Sequence, residues 1–260
     1  MLFILDKVNK KTNSSLLKDI KIGMLIADEC WSTSIALEET IDFIKDTIAS
    51  ESNFLTNKNE TDQIMDEKCN QNYQKISNTN KIIAVIGPGS SSVSINVQNL
   101  LQLFDVPQIG YSATSRDLTD KKLFKTFIRV VPSDYLQVRA MIDIVKTMDW
   151  KYLLAAYTDG SYGIGGMEAF RNEVNNLNIC LALFEKISEY ASETDFDEII
   201  SKMNQTVEAR VIVCFCYGET VRGLLGAIHR ANLKGRFIIL GSDGWFVQNL
   251  LKKYNFYNFL

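Results

Sequence analysis

Three short stretches carry side chains able to hold a small charged molecule. Gly87-Pro88-Gly89 runs into Ser90, Ser91 and Ser92, Ser112-Ala113-Thr114 ends one apolar run, and Ser242-Asp243 ends another. A glycine-rich turn between a buried strand and a helix is where α/β proteins hold anions, because the first turn has unpaired N–H groups and the positive end of the helix dipole. Both common phosphate loops are excluded by the letters: neither Gly-x-x-x-x-Gly-Lys-Ser/Thr nor Gly-x-Gly-x-x-Gly is present. With serine hydroxyls and no lysine or arginine in the turn, a singly charged carboxylate suits it better than a polyphosphate. Asp134 and Asp243 add acceptors and Tyr162 an aromatic face, a set suited to an ammonium group. Carboxylate on one side and ammonium on the other describe an α-amino acid. The same letters also describe serines that merely cap a helix and aspartates that cap surface turns, and spacing alone does not choose.

Placing these residues together requires strands that alternate with helices. "IKIGMLIAD" (20–28) reads as a buried strand, and Leu37, Ile41, Ile44 and Ile48 as one face of the helix after it. The unit repeats with a strand over 82–86, a helix face at Val93, Val97, Leu100, Leu101 and Phe104, and a strand over 107–113. Ser133 reads as the N-cap of a helix with Val138, Met141, Ile142 and Val145 inward. "KYLLAAYTD", "ICLALFEKI", "ARVIVCFCY" and "RFIILGSD" then alternate with helical patterns, one of them carrying Val221, Leu224, Leu225 and Ile228. The fold class is therefore α/β with parallel sheets, in which ligands bind beyond the carboxyl ends of strands. The polar stretch over 50–80 reads as a mobile surface loop. The passage "DLTDKKLFKTFIRVVPSD" interrupts the rhythm, which places a domain boundary near Val131.

Composition narrows the function classes. A net charge of −3 leaves no broad basic surface for nucleic acid. No run approaches a membrane span, and "MLFILDKVNKK" lacks the features of a signal peptide, which at face value reads as cytosolic. Sequons at Asn13, Asn59 and Asn204 point the other way, as do five cysteines, Cys30, Cys69, Cys180, Cys214 and Cys216, an odd set suggesting an intermolecular bridge or a missing partner. Five reduced core cysteines in a cytosolic protein are the competing reading. His229 is the single histidine, in a helix away from the strand-end motifs, and Cys214 lies inside a strand, so the two make a poor base and nucleophile. No enzyme, cofactor or metal is expected.

Five motifs in order, "IIAVIGPGSSSVSINVQNLLQLFDVPQIGYSATSRDL", "RVVPSDYLQVRAMIDIV", "YGIGGMEAF", "VCFCYGETVRGLL" and "LGSDGW", resemble the extracellular ligand-binding domain of metabotropic glutamate receptors, which are class C G-protein-coupled receptors. The resemblance runs from Leu5 to Trp245 and weakens beyond. It implies a Venus flytrap of two Rossmann-like lobes of the periplasmic-binding-protein type I, here 1–130 and 131–260. Carried over by position, Ser91 meets the ligand α-carboxylate with help from the Thr114 backbone, and the Ser112 carbonyl and Thr114 hydroxyl receive the ammonium. Asp134, Tyr162 and Asp243 face that ammonium from the second lobe, and Trp31 lines the pocket on the first.

The resemblance further implies L-glutamate or a similar amino acid as ligand, and a homodimer through lobe 1 and an intermolecular Cys69 disulfide. Lobe closure would signal to a heterotrimeric G protein from the extracellular side of the plasma membrane. Cys214 and Cys216 correspond to a bridged pair, although i and i+2 on an extended strand lie about 6.6 Å apart, at the edge of what a disulfide spans. Cys30 corresponds to a cysteine whose partner lies upstream, and Cys180 is expected to be a buried thiol. The chain departs from the pattern at Ile164 and Tyr217, where the family has glutamates, and at Gln248, near an arginine of some members. The family's first strand and helix and its return to lobe 1 are not matched, so these residues alone are expected to be unstable or partner-dependent. A soluble or truncated amino-acid-binding protein without signalling is the alternative within the same fold.

Overall fold

The computed structural model describes residues 22–56, 82–175 and 177–245. The chain divides into two compact units, Met1–Ile82 and Ile83–Leu260.

In the first unit a turn holds Cys30 and Trp31 in left-handed backbone (φ 49° and 57°), with the Cys30 N–H donating to Asp28 Oδ1 at 2.9 Å. Helix α1, Thr33–Thr56, follows. Its inward face is Ala36, Thr40 and Ile44, while Ile41 is 46% exposed, so the buried stripe is offset from the expected one. Ala36 accepts from the Thr40 hydroxyl at 2.6 Å, which lets a threonine sit on that face. The helix also runs on into the stretch expected to be a loop. Residues 57–81 lie outside the described residues. The described part of the expected first strand, 22–28, carries no strand pairing, and Leu25 and Ile26 are exposed. Apolar run length alone does not make a strand; backbone partners must be found as well.

The second unit contains two parallel sheets. The smaller runs β1-β2-β3, with β1 Val85–Ile86, β2 Gln108–Gly110 and β3 Phe127–Arg129. Its register pairs Val85 with Gln108 and Gln108 with Phe127. Helix α2, Ser91–Leu101, links β1 to β2 and buries Val93, Val97 and Leu101. Strand β3 falls inside the passage that reads as an interruption, and its Phe127 packs with Ala113, Leu118 and Phe124.

The larger sheet has the order β5-β4-β6-β7, with β4 Tyr152–Thr158, β5 Cys180–Ile187, β6 Val211–Phe215 and β7 Ile238–Gly241. Helices α3 (Asp134–Thr147) and α4 (Ser161–Val174) cover one face, and α5 (Glu193–Gln205) and α6 (Gly218–Arg230) the other. Strand alternation divides the core: Leu153, Ala155, Val211 and Val213 pack toward α3 and α4, while Leu154, Ala156 and Ile212 pack toward α5 and α6. Helix α5 starts with a capping box between Ser192 and Asp195. Cys180 opens the edge strand β5 and is an exposed thiol, contrary to the buried one expected, because an edge strand has no neighbour to cover its first residue.

Candidate functional site

The serine turn is held from beneath before it reaches any ligand. Gly87 has φ +104°, which glycine adopts freely. Its carbonyl accepts from the side-chain amide of Gln108, a fully buried residue of β2, at 2.8 Å. Ser90 is the N-cap of α2 and makes no side-chain cap, and Ser90 and Ser91 are both buried. Ser91 Oγ accepts from the Ser115 N–H at 3.1 Å, tying the start of α2 to the turn after β2.

That turn is clamped from its other side. The Arg129 guanidinium donates to the Ser115 carbonyl at 2.8 Å, the Ala113 carbonyl at 3.4 Å and the Thr119 hydroxyl at 2.7 Å. The Thr114 carbonyl accepts from the Asp134 N–H at 3.0 Å. One continuous path of hydrogen bonds thus runs from Ser91 through Ser115 and Thr114 to the first residue of α3.

Asp134 is 1% exposed, and neither carboxylate oxygen has a hydrogen-bond partner among the described residues. The neighbouring Ser133 hydroxyl is likewise buried without a partner. Burial pushes the Asp134 carboxyl up to about 7, reinforced by the charges of Asp243 and Asp117. The Thr114 hydroxyl and Arg129 pull the other way and do not overcome it; the hydroxyl is near the carboxylate without reaching good hydrogen-bond geometry. A buried carboxylate without partners is costly, and a cation placed against it would remove most of that cost.

Tyr162 and Asp243 form the opposite half of the cluster. Gly160, φ +119°, is the N-cap of helix α4, and Gly163 sits so close to β4 that a Cβ there would stand 2.0 Å from the Thr158 carbonyl oxygen. This approach drives Tyr162 inward to 3% exposure. Its hydroxyl donates to Asp243, lies 2.6 Å from Ser242 Oγ and accepts from the Gly244 N–H at 3.0 Å. Burial raises the phenol well above its ordinary range, with the Asp243 charge adding to the effect. Asp243 is gripped again by Gln137 of α3, whose amide nitrogen donates to Oδ1 at 3.1 Å and whose oxygen accepts from the Asp243 N–H at 2.7 Å, in the amide orientation that satisfies both.

Ser91, Thr114, Asp134, Tyr162 and Asp243 therefore converge. Ser112 is exposed and makes no side-chain bond to this cluster among the described residues. Trp31 belongs to the other unit, where it is 65% exposed. The start of α4 also meets the start of α2: Ser92 Oγ accepts from the Ser161 N–H at 3.1 Å, and Ser115 Oγ donates to the Ser161 carbonyl at 3.3 Å. The chemistry on offer is polar binding: donors at the α2 side, and carboxylates at the α3 and β7 side with the Tyr162 ring beside them.

Residues 1–257 match the family described as receptor family ligand binding region. The chain belongs to that family. It is 37% identical over 251 residues to a metabotropic glutamate receptor of Drosophila melanogaster, covering 96% of this chain and 25% of that protein. To metabotropic glutamate receptor 4 of Mus musculus it is 36% identical over 247 residues, covering 94% of this chain and 26% of the relative. The chain thus spans about a quarter of the length of the curated relatives it matches. A receptor ligand-binding region is a binding fold, so the His229 and Cys214 enzyme reading falls away.

In this ligand-binding region Cys214 and Cys216 are bridged, their Cα atoms 5.5 Å apart. Cys214 ends its strand pairing opposite Gly241 and Cys216 lies past the strand, so the chain is free to contract between them. Cys30 is an exposed free thiol, and Cys69, Asn13 and Asn59 lie outside the described residues. Asn204 sits in the last turn of α5, half-buried. Gln137 and Ser115 are site residues that the motifs did not single out. Gln137 could have been found from its spacing, three residues after Asp134 on the same helix face.

Proposed function

We propose that this receptor ligand-binding region holds the head group of an L-amino acid, L-glutamate foremost, between the α2 side and the Asp134, Tyr162 and Asp243 side. One observation carries the reading: Asp134 is buried, without hydrogen-bond partners among the described residues, and at hydrogen-bonded reach of the turn that ends in Thr114. An ammonium supplies the missing partner, while the α2 start, Ser91 and the Thr114 backbone take the carboxylate. The Ser112 carbonyl joins the ammonium side.

The ligand couples two lobes, 1–130 and 131–260, since the residues that meet it follow strands of both sheets. A ligand that touches both favours the closed arrangement by its differential affinity for it. As part of a longer receptor at the plasma membrane, the region would face the extracellular side, pair with a second copy through lobe 1 and Cys69, and pass closure to a heterotrimeric G protein.

Titration calorimetry with L-glutamate tests the reading. Binding is expected, weakened by at least about 1–3 kcal/mol in each of Asp134→Ala, Tyr162→Ala and Thr114→Ala. Unchanged affinity in all three would remove the site from consideration.

A further inference from the structure

Of the three serines at the start of α2, Ser92 takes no part in the ligand reading, yet its side chain bonds to an element of the larger sheet's layer. Helix α4 starts at Ser161 behind Gly160, an N-cap with no side chain to offer the first N–H groups. An acceptor comes instead from the α2 side: the Ser161 N–H donates to Ser92 Oγ at 3.1 Å. Glycine at 160 permits this approach, since a Cβ there would stand 3.1 Å from Ser92 Oγ. The Ser161 carbonyl is gripped as well, accepting from Ser115 Oγ at 3.3 Å. That hydroxyl is fully buried and itself accepts from the Asp117 N–H at 3.3 Å, which leaves its proton for Ser161.

The gripped carbonyl belongs to the peptide bond that leads into Tyr162. The main chain at Tyr162 is thus held from the α2 side, while its hydroxyl is held by Ser242, Asp243 and the Gly244 N–H after β7. Its ring stacks on Tyr217, with centroids 4.9 Å apart. All of these contacts join protein atoms and need no ligand. We propose that Ser92 and Ser115 latch the two sides of the site together through the Ser161 backbone, and that Ser92 is a positioning residue, which touches no ligand and acts on affinity by fixing Tyr162 against the α2 start. This rests on the amino-acid reading above. The apparent affinity of a ligand is its intrinsic affinity reduced by the fraction of molecules in the competent arrangement. Losing the latch therefore weakens every ligand by one common factor, whatever its side chain.

Ser92→Ala removes the acceptor, Ser92→Thr keeps it, and Ser161→Pro removes the donor at a first helical position, where proline is well tolerated. Amide hydrogen exchange at Ser161 without ligand, and calorimetry with L-glutamate and with L-aspartate, read the effect. The Ser161 amide is expected to be protected in the wild type, though less than that of Leu154 in the middle of β4, and to exchange about three- to tenfold faster in Ser92→Ala, the range of one hydrogen bond. Affinity for both amino acids should fall by the same factor in Ser92→Ala and in Ser161→Pro, and Ser92→Thr should restore both readouts. A freely exchanging Ser161 amide in the wild type, or the same exchange rate in wild type and Ser92→Ala, overturns the latch. Unchanged L-glutamate affinity in Ser92→Ala, or losses that differ between the two amino acids, overturns the positioning role. The exchange arm contains no ligand and judges the latch by itself, whereas failure of L-glutamate to bind the wild type overturns the amino-acid reading and the positioning role with it.

Discussion

Asp134 and Asp243 are two carboxylates of one cluster with opposite circumstances. Asp134 begins α3, is buried, and has no hydrogen-bond partner among the described residues. Asp243 follows β7, is exposed, and is held by Tyr162 on one side and by both ends of the Gln137 amide on the other. Solvent would have served Asp243 well, yet it has partners; Asp134 needs partners and has none among the described residues. Exposed charge can be tied down for position, whereas buried charge without partners is tolerated where a ligand completes it.

The difference should appear first in stability. Asp134→Asn is expected to stabilise the ligand-free protein at pH 8 by about 1–3 kcal/mol, since it removes a charge that burial disfavours, while abolishing most ligand affinity. Asp243→Asn should instead destabilise slightly. Thermal unfolding of both variants checks the opposite signs, and equal signs would dissolve the contrast.

A second effect concerns pH. The folded Asp134 titrates near 7 and an unfolded aspartate near 3.8, so between these values the folded state binds the extra proton. Its contribution to stability is present below pH 4 and declines as pH rises toward 7, at up to about 1.4 kcal/mol per unit. Subtracting the Asp134→Asn profile isolates it. Ligand binding runs the other way: an ammonium favours ionised Asp134, so affinity should rise from pH 5.5 to 8 and binding near pH 7 should release a proton. Calorimetry in buffers of different ionisation enthalpy measures that proton directly.

The smallest expected effect is that of Gln137→Leu. Losing one hydrogen bond to an exposed carboxylate and one from the same residue's backbone N–H should cost about 0.5–1.5 kcal/mol of stability, and L-glutamate affinity should fall by less than in Tyr162→Ala. A larger loss than Tyr162→Ala would mean that Gln137, rather than Tyr162, places Asp243.

The polar ends of strands were legible because strand and helix periodicities meet there: the serines after Ile86, Thr114 after β2 and Asp243 after β7 all sit at such junctions. Strands β4 and β6 were legible for the same reason, being continuous apolar runs buried on two faces, and their outer neighbours β5 and β7 are apolar runs that are mostly half-buried. Strand β3 was not, since three residues among lysines and threonines leave too short a pattern, and its place is set by pairing with β2. The stretch 22–28 erred in the opposite direction, apolar enough for a strand yet unpaired among the described residues. Tyr217 was read as a substitution in a motif; that its ring covers Tyr162 depends on where two distant strands end, which no local pattern encodes.

The Arg129 clamp on the turn around Ser115 bears on how fast a ligand can be captured. Three hydrogen bonds to two carbonyls and a hydroxyl hold that turn in one conformation before anything arrives. Ordering a loop on arrival would subtract from affinity and slow encounter. With the α2 side already rigid, preorganisation leaves residence time, governed by how readily the Asp134 side parts from it, as the quantity that evolution can tune.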